Sequence, residues 1–490
     1  MGKISSKANL RVNDSVELLS YIINQDPVLS ENIDLPVQGQ SIAPIGKIII
    51  DNQRYKNAFL NVVNIIGRTV ITRNSWRNPW ESFANKGFLS YGQQVRELIC
   101  DIANVYDYNL NSNNNQRFLE NAVPNVMEYI HEINFEKFYE VTTSDEQISM
   151  AFETEDLFRL VDEIINSMWN GLNYDKFLIE KYIISRRILD GTFASVYVDT
   201  TNLSVRQQVA KMKAVSNKLT FMKSNYNPAG IKKATDYENQ ITILDSEFEA
   251  SLTTEVLSTS YFKNEADLKS RLEMVDSWSE QDTDRLDMLF SYIDSTSGDR
   301  VYYGGYIPLT SDEITALGNI LGVIIGFDFF QNYAKAMDGE RGTDGVKQTN
   351  FYNPTTLKNN HFLHYKGCFS SSPFENAVVL SKVQPNVTGV TVSPSTLSIS
   401  TGTTAQFTAT VATAGFANKA VTWKVDDTSK GKGVTIDNNG KLTIPSTVTE
   451  LESITVTATS VYKTSVSGTA TVTLLYPAAA ETTNVSDGNR

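Results

Sequence analysis

The sequence predicts an α+β body followed by a separate all-β sandwich, and three observations carry that reading. The last fifth of the 490-residue chain is a series of short strands. Val390-Thr-Val392, Leu397-Ser-Ile399, Phe407 to Val411, Val421-Thr-Trp423-Lys-Val425, Ile454 to Ala458 and Ala470 to Leu474 all alternate apolar with polar residues. A period of two places every apolar side chain on one face, as a half-buried antiparallel strand requires. Second, one unusually long helical pattern runs through residues 154–190. Third, strand-like runs separated by polar loops precede it and strands alternate with helices after it, with no internal repeat, a mixed pattern that suits an α+β body.

The elements follow in order. Val62 to Ile71 and Phe88 to Ile102 read as the two arms of a long hairpin around Trp76-Arg-Asn-Pro79-Trp80. Thr154 is the expected N-cap of the long helix, and Glu155 and Asp156 suit the positive end of its dipole. Leu157, Leu160, Val161, Ile164, Ile165, Met168 and Trp169 recur at helical spacing. Gly171 is a candidate interruption. The pattern resumes through Phe177, Leu178, Tyr182 and Ile183 to a stop at Asp190-Gly191. Phe193 to Val198 reads as a strand, Gln207 to Leu219 as a helix, Ile241 to Phe248 as a strand and Ser258 to Leu268 as a mixed helical stretch. Thr310 and Glu313 form a capping-box pair opening a short helix. Gly318, Gly322 and Gly326 are spaced as in associating membrane helices. Their apolar run, Ile320 to Phe327, is only about a third of a bilayer span, and a buried strand is expected. Ala377 to Leu380 is the last strand of the body, and Pro385 starts the linker. The domains expected are 1–384, 385–476 and a flexible tail, 477–490. In the sandwich, Asn438-Asn439-Gly440 supplies a hairpin turn, and Phe407, Trp423 and Val456 are the expected core.

Composition excludes several classes. A formal net charge of −13 argues against a general nucleic-acid or acidic-membrane binder. Cys100 and Cys368 are far apart and neither starts a CxxC, so no disulfide framework or zinc site is expected. The N-terminus has no apolar signal core and no window reaches transmembrane length, so the chain is expected to be made in a reducing cytoplasm.

Candidate chemistry is sparse. His361 and His364 share a helical face but lie on opposite faces of a strand, and Phe362-Leu363-His364-Tyr365 is strand-like, so packing is favoured over a metal site. His131 has no nucleophile motif beside it. No GxSxG, HExxH or Walker loop occurs. The glycines of Gly339 to Gly345 are accompanied by acidic residues that repel phosphate. No catalytic residue, metal or cofactor is expected. One charge run stands out: from Arg206 through Lys211, Lys213, Lys218, Lys223 and Lys232-Lys233 there is no acidic residue. The plain reading is a solvated helix face. The sharper one is an electrostatic contact with an acidic neighbouring subunit, for which Asp245, Glu247 and Glu249 are candidates, or with nucleic acid.

Residues 385–476 resemble a bacterial immunoglobulin-like domain of the Big type. The motifs are Val390-Thr-Val-Ser-Pro394, Gly402 with Gln406 to Val411, Val421-Thr-Trp423, and Gly440-Lys-Leu-Thr-Ile444 before Ile454 to Thr459. The preceding chain resembles the major capsid proteins of the podophages typified by phi-twenty-nine, and related proteins of crass-like gut phages. Val161 to Asn166, Val209 to Lys213 with Lys218-Leu219, Ile241 to Asp245, Phe248 to Ala250, Glu255 to Leu257 and Phe374 to Val378 carry the similarity in the same order.

The resemblance implies the tailed-phage (Johnson, Hong Kong phage type) capsid fold, with an N-terminal arm, an E-loop at about 60–110, a spine helix at about 154–190 and an axial domain within about 191–340. It implies a structural protein of the virion that self-assembles as pentamers and hexamers into an icosahedral shell around double-stranded DNA. Portal, scaffolding and head auxiliary proteins are then partners, with DNA held by weak contact. Trp76, Pro79, Trp80 and Phe83 become inter-subunit anchors at the E-loop tip, and Lys86 an ordinary surface lysine near it. The Big domain either binds host-surface glycans or cements subunits. Two rival classes stay open: a surface adhesin, expected to carry a secretion signal, an anchor or tandem Big domains, and a polysaccharide-active enzyme, expected to carry a carboxylate pair.

Overall fold

The computed structural model describes residues 15–37, 41–70, 76–89, 94–103, 126–153, 157–256, 272–335, 345–448 and 451–476. The reading of Ser258 to Leu268, the cap at Thr154, most of the loop from Gly339 to Gly345 and the tail from Pro477 lie outside them.

Helices Ser15–Gln25, Ala43–Asp51, Gln53–Val70 and Asp145–Glu153 cluster around the first turns of the helix Leu157–Leu189. The first buries Leu18, Leu19, Ile22 and Ile23 along one stripe, as 3.6-residue periodicity dictates. Gly46 allows the closest approach: a Cβ there would lie 2.3 Å from Cγ of Phe152. Lys56, itself buried, pairs with Asp145.

The helix Leu157–Leu189 is continuous through Gly171 and about 50 Å long at 1.5 Å per residue. Gly171 is tolerated because Tyr139 occupies the space a side chain would take, 3.2 Å from the ideal Cβ. The helix spans two cores: Leu157, Val161 and Ile165 join the N-terminal cluster, while Leu172, Leu178, Ile184 and Ile188 join the main one. It stops at Gly191, whose φ of +72° suits the left-handed cap. There Gly191 N–H donates to Ile188 O and Thr192 N–H to Arg187 O.

Two five-stranded sheets flank the main core. In the first, Asn85–Leu89, Asn332–Lys335, Lys358–Cys368 and Val346–Asn353 neighbour one another in that order, and Phe135–Ser144 pairs with Lys358–Cys368. The second runs Ala194–Tyr197, Ala377–Ser381, Ile320–Gly326, Gln240–Asp245, Leu272–Val275. Its central strand Ile320–Gly326 is buried at every residue, which explains an apolar run without alternation. Gly322 lets it lie close to its neighbour, since a Cβ would fall 2.7 Å from Ile243 O. The capping box at Thr310 and Glu313 is formed.

The sandwich sets Thr396–Ser400, Ser467–Leu475, Ser453–Ser460 and Val421–Val425 in one sheet, faced by the pair Asn386–Ser393 with Thr408–Ala414 and by three short strands around Lys441–Thr443. Phe407 and Val456 are buried at its centre and Trp423 packs half-buried against them. Gly440 turns the hairpin at φ +80°.

The expected hairpin arms are corrected. Val62 to Val70 is helix, part of Gln53–Val70, because Tyr55, Ala58, Phe59 and Val62 recur at three- and four-residue steps and pack into the N-terminal core. A local β-branched run is overridden by that longer pattern. The hairpin instead pairs Val95–Cys100 with Val126–His131, Val95 opposite His131.

Candidate functional site

The segment Trp76–Phe83 is not a projecting tip. Trp80 is fully buried, its ring centroid 5.0 Å from Phe177, 6.4 Å from Trp278 and 6.5 Å from Phe330. Its Nε1–H donates to Met274 O at 3.2 Å. Phe83 is buried in the same core. The expectation of interface anchors rests on the cost of so many aromatics in water, and burial in the chain's own core satisfies that demand equally well. Only Trp76, 43 % exposed, and Pro79 reach the surface. Trp76 rests edge-on against Tyr174 and Phe177, and Asn170 and Asn173 hold its backbone N–H and C=O. The segment is thus a strap across the long helix.

The strap is fastened by a carboxyl that the sequence did not single out. Glu180, buried in the long helix, accepts from Asn78 Nδ2 at 2.7 Å and Asn332 Nδ2 at 3.0 Å. Loss of hydration pushes its pKa up to about 8, against the opposing pull of those two donors and of Lys176. A lone Glu at an apolar helical position was the available signal. Lys86 is likewise engaged in its own chain, donating to Phe327 O at 2.8 Å and Asp328 Oδ1 at 3.0 Å.

At the base of the hairpin, His131 contacts Ser370 Oγ through Nδ1 at 2.8 Å and Glu97 Oε2 through Nε2 at 3.2 Å, and Ser372 Oγ donates to Glu97 Oε1 at 2.7 Å. This cluster fixes both arms to the strand connection at residues 369–376. Beyond it, Leu98, Ile102, Val126, Tyr129 and Ile130 are exposed, Leu98 by 63 %. His361 and His364 sit on opposite faces of their strand and touch Thr143 and Thr349. Burial pulls the His361 pKa down to about 4, so its ring stays neutral. Among the described residues no cluster of His, Cys, Asp or Glu could hold a metal.

Arg206, Lys211, Lys213 and Lys218 of the basic run lie on the helix Val205–Leu219, whereas Lys223 and Lys233 form a β-bridge beyond it and Lys233 Nζ pairs with Glu375 within the same chain. Gln208, Met212, Val215 and Leu219 face inward, while Arg206, Lys211, Lys213 and Lys218 face out. Lys211 Nζ sits 5.7 Å from the Tyr197 ring centroid. Asp245, Glu247 and Glu249 lie at the start of the helix Ser246–Val256, which packs beside the basic helix in the same subunit. The two helices that carry these charges therefore pack together within one chain.

No helix among the described residues is long and apolar enough to cross a membrane. Comparison with known proteins finds relatives along most of the chain. The major capsid protein of Bacillus phage PZA is 26 % identical over 439 residues, covering 88 % of this chain and 87 % of its own length. That of Bacillus phage B103 is 26 % identical over 462 residues, covering 92 % and 91 %. Among solved structures, the capsid of Staphylococcus phage Andhra is similar with a TM-score of 0.48 at 13 % identity, over 64 % of this chain and 86 % of that one. Residues 386–474 match the bacterial Ig-like domain (group 2). Residues 32–381 match the Phi29-like phage major capsid protein family, and the chain belongs to that family: it is a structural protein of the phage capsid with a C-terminal immunoglobulin-like domain.

Proposed function

We propose that this subunit closes into pentamers and hexamers chiefly through the paired strands Val95–Cys100 and Val126–His131, where exposed apolar side chains are covered by a neighbouring subunit. The observation that carries this is the exposure of Leu98, Ile102, Val126, Tyr129 and Ile130 on or beside a strand pair that has no third strand among the described residues. Such a ribbon is marginal by itself in water and needs a packing partner. Trp76 and Pro79 add a smaller apolar contact where the strap surfaces.

The charged helices supply register. The basic face of Val205–Leu219 and the acidic first turn of Ser246–Val256 stand side by side, a bipolar surface suited to a head-to-tail contact. In a ring, the lysines of one copy face Asp245, Glu247 and Glu249 of the next. Portal, scaffolding and head auxiliary proteins complete the shell, and the packaged DNA is held by weak contact. The immunoglobulin-like domain serves as cement or as a host-glycan contact. The subunit has no catalytic turnover and is made in the host bacterial cytoplasm.

Electron microscopy of the purified protein with its scaffolding partner tests the reading. Closed shells from the wild type and none from Leu98→Ser/Tyr129→Ser are expected. Wild-type yields of shells from the double variant overturn the placement of the contact.

A further inference from the structure

The turn joining Thr408–Ala414 to Val421–Val425 of the immunoglobulin-like domain makes unusual contacts. Gly415 and Phe416 are both left-handed, with φ of +61° and +58°. Glycine adopts this freely, but phenylalanine does so only where its surroundings impose it. The Phe416 side chain packs against the main core of the body, whereas its neighbour Ala417 belongs to the core of the sandwich. Lys419 Nζ donates to Leu189 O at 2.6 Å, placing a cation on a free carbonyl at the negative end of the long helix. Ser195 Oγ, on the edge strand Ala194–Tyr197, donates to Gly415 O at 2.8 Å.

Two glycines record how tight the junction is. A Cβ on Gly191, the helix stop, would fall 2.8 Å from Lys419 N and 3.0 Å from Ala417 O. One on Gly415 would fall 2.6 Å from Val383 O and from Gln384 C in the linker. The turn therefore touches the linker, the helix terminus and a sheet edge together. A module displayed on a tether needs none of these contacts, because the linker alone would hold it.

We infer that the immunoglobulin-like domain is a fixed brace of its own subunit: its turn Gly415–Lys419 clamps the C-terminal end of the long helix to the edge of the Ala194–Tyr197 sheet. The clamp sets the orientation of the domain and restrains fraying of the helix that spans both cores of the body. It goes beyond the shell reading, since it acts inside one chain whether or not that chain assembles.

Hydrogen exchange on the full-length, unassembled subunit tests it. Lys419→Met keeps the aliphatic stem and removes the cation. Phe416→Gly relieves the strained backbone and removes the ring. Each variant is expected to lower protection of amides 188–192 about tenfold while leaving Ile454–Ala458 in the sandwich unchanged. A turn serving only the sandwich would predict the reverse for Phe416→Gly: a stabilised sandwich and an unaltered helix end. Unchanged protection at 188–192 in Lys419→Met, a surface substitution that leaves folding intact, overturns the proposal. Shell formation is scored separately, so loss of assembly with normal protection counts against the capsid contacts and not the brace.

Discussion

Asn78 and Glu180 meet side chain to side chain at 2.7 Å across the long helix, and that bond decides where the aromatic strap lies. The orientation of the Asn78 amide is not free, because its Oδ1 accepts the Trp80 N–H at 2.9 Å. Asn332 Oδ1 likewise takes the Ser370 N–H, so both amides turn their donors toward Glu180. One carboxyl therefore ties the strap, the helix and the Asn332–Lys335 strand together. Replacing Glu180 with Ala leaves two buried donors without partners, at about 1–3 kcal/mol each, and the urea midpoint of the subunit should fall accordingly.

The same carboxyl makes stability depend on pH. Its pKa is raised from the ordinary carboxylate range to about 8 by burial, with Lys176 opposing and Glu81 assisting the shift. The folded state thus holds a proton that the unfolded chain has already lost, so this contribution is complete at acid pH and disappears as pH rises through about 8. Glu180→Gln cannot ionise. The difference in urea midpoint between wild type and Glu180→Gln should shift steadily in favour of the variant from pH 5 to pH 8.5 and then level off. A pH-independent difference would contradict the assignment.

Trp80 and Trp76 should behave oppositely despite their proximity. Trp80→Ala opens a cavity in the main core and should cost about 3–5 kcal/mol. Trp76→Ala removes a half-exposed ring and should cost about 1 kcal/mol or less. Chemical unfolding of the two single variants separates them, and similar losses would refute the distinction between core and surface.

Gly322→Ala tests the close approach in the second sheet. The new methyl would meet Ile243 O, and overpacking of that kind costs about 1–3 kcal/mol. A lowered melting temperature with unchanged secondary structure is the expected result.

Charge reversal at Lys211 and Lys213 should leave the subunit's melting temperature almost unchanged, since both side chains are exposed, and should slow assembly. Exposed pairs contribute roughly 0–1 kcal/mol each and are screened by salt. The assembly defect, followed by light scattering, should therefore shrink between low and high salt. Shells that form normally but retain less DNA would assign the lysines to the genome instead.

The sequence by itself determined the elements whose periodicity is unbroken and whose ends carry strong signals. The helical pattern of Leu157–Leu189 with its stop at Asp190-Gly191, the buried strand Ile320–Gly326, the capping box at Thr310 and the alternating strands of the sandwich were all legible, because each is dictated by spacing within a few turns of chain, whereas the unbroken run through Gly171 was decided by the tertiary structure. The fate of the aromatics was not. Trp76, Pro79, Trp80 and Phe83 announce a need for burial but not the surface that meets it, and only the meeting of Phe177, Trp278 and Phe330, distant in sequence, put Trp80 in the core. The helix Gln53–Val70 departs from the strand its sequence predicts for the same reason, since a β-branched run takes the form its neighbours can pack. Glu180 among two asparagines, and Phe416 reaching out of one domain into another, lie further still from any local rule. Pairings between residues more than a hundred positions apart are set by how the two cores close on each other, and no local period encodes that closure.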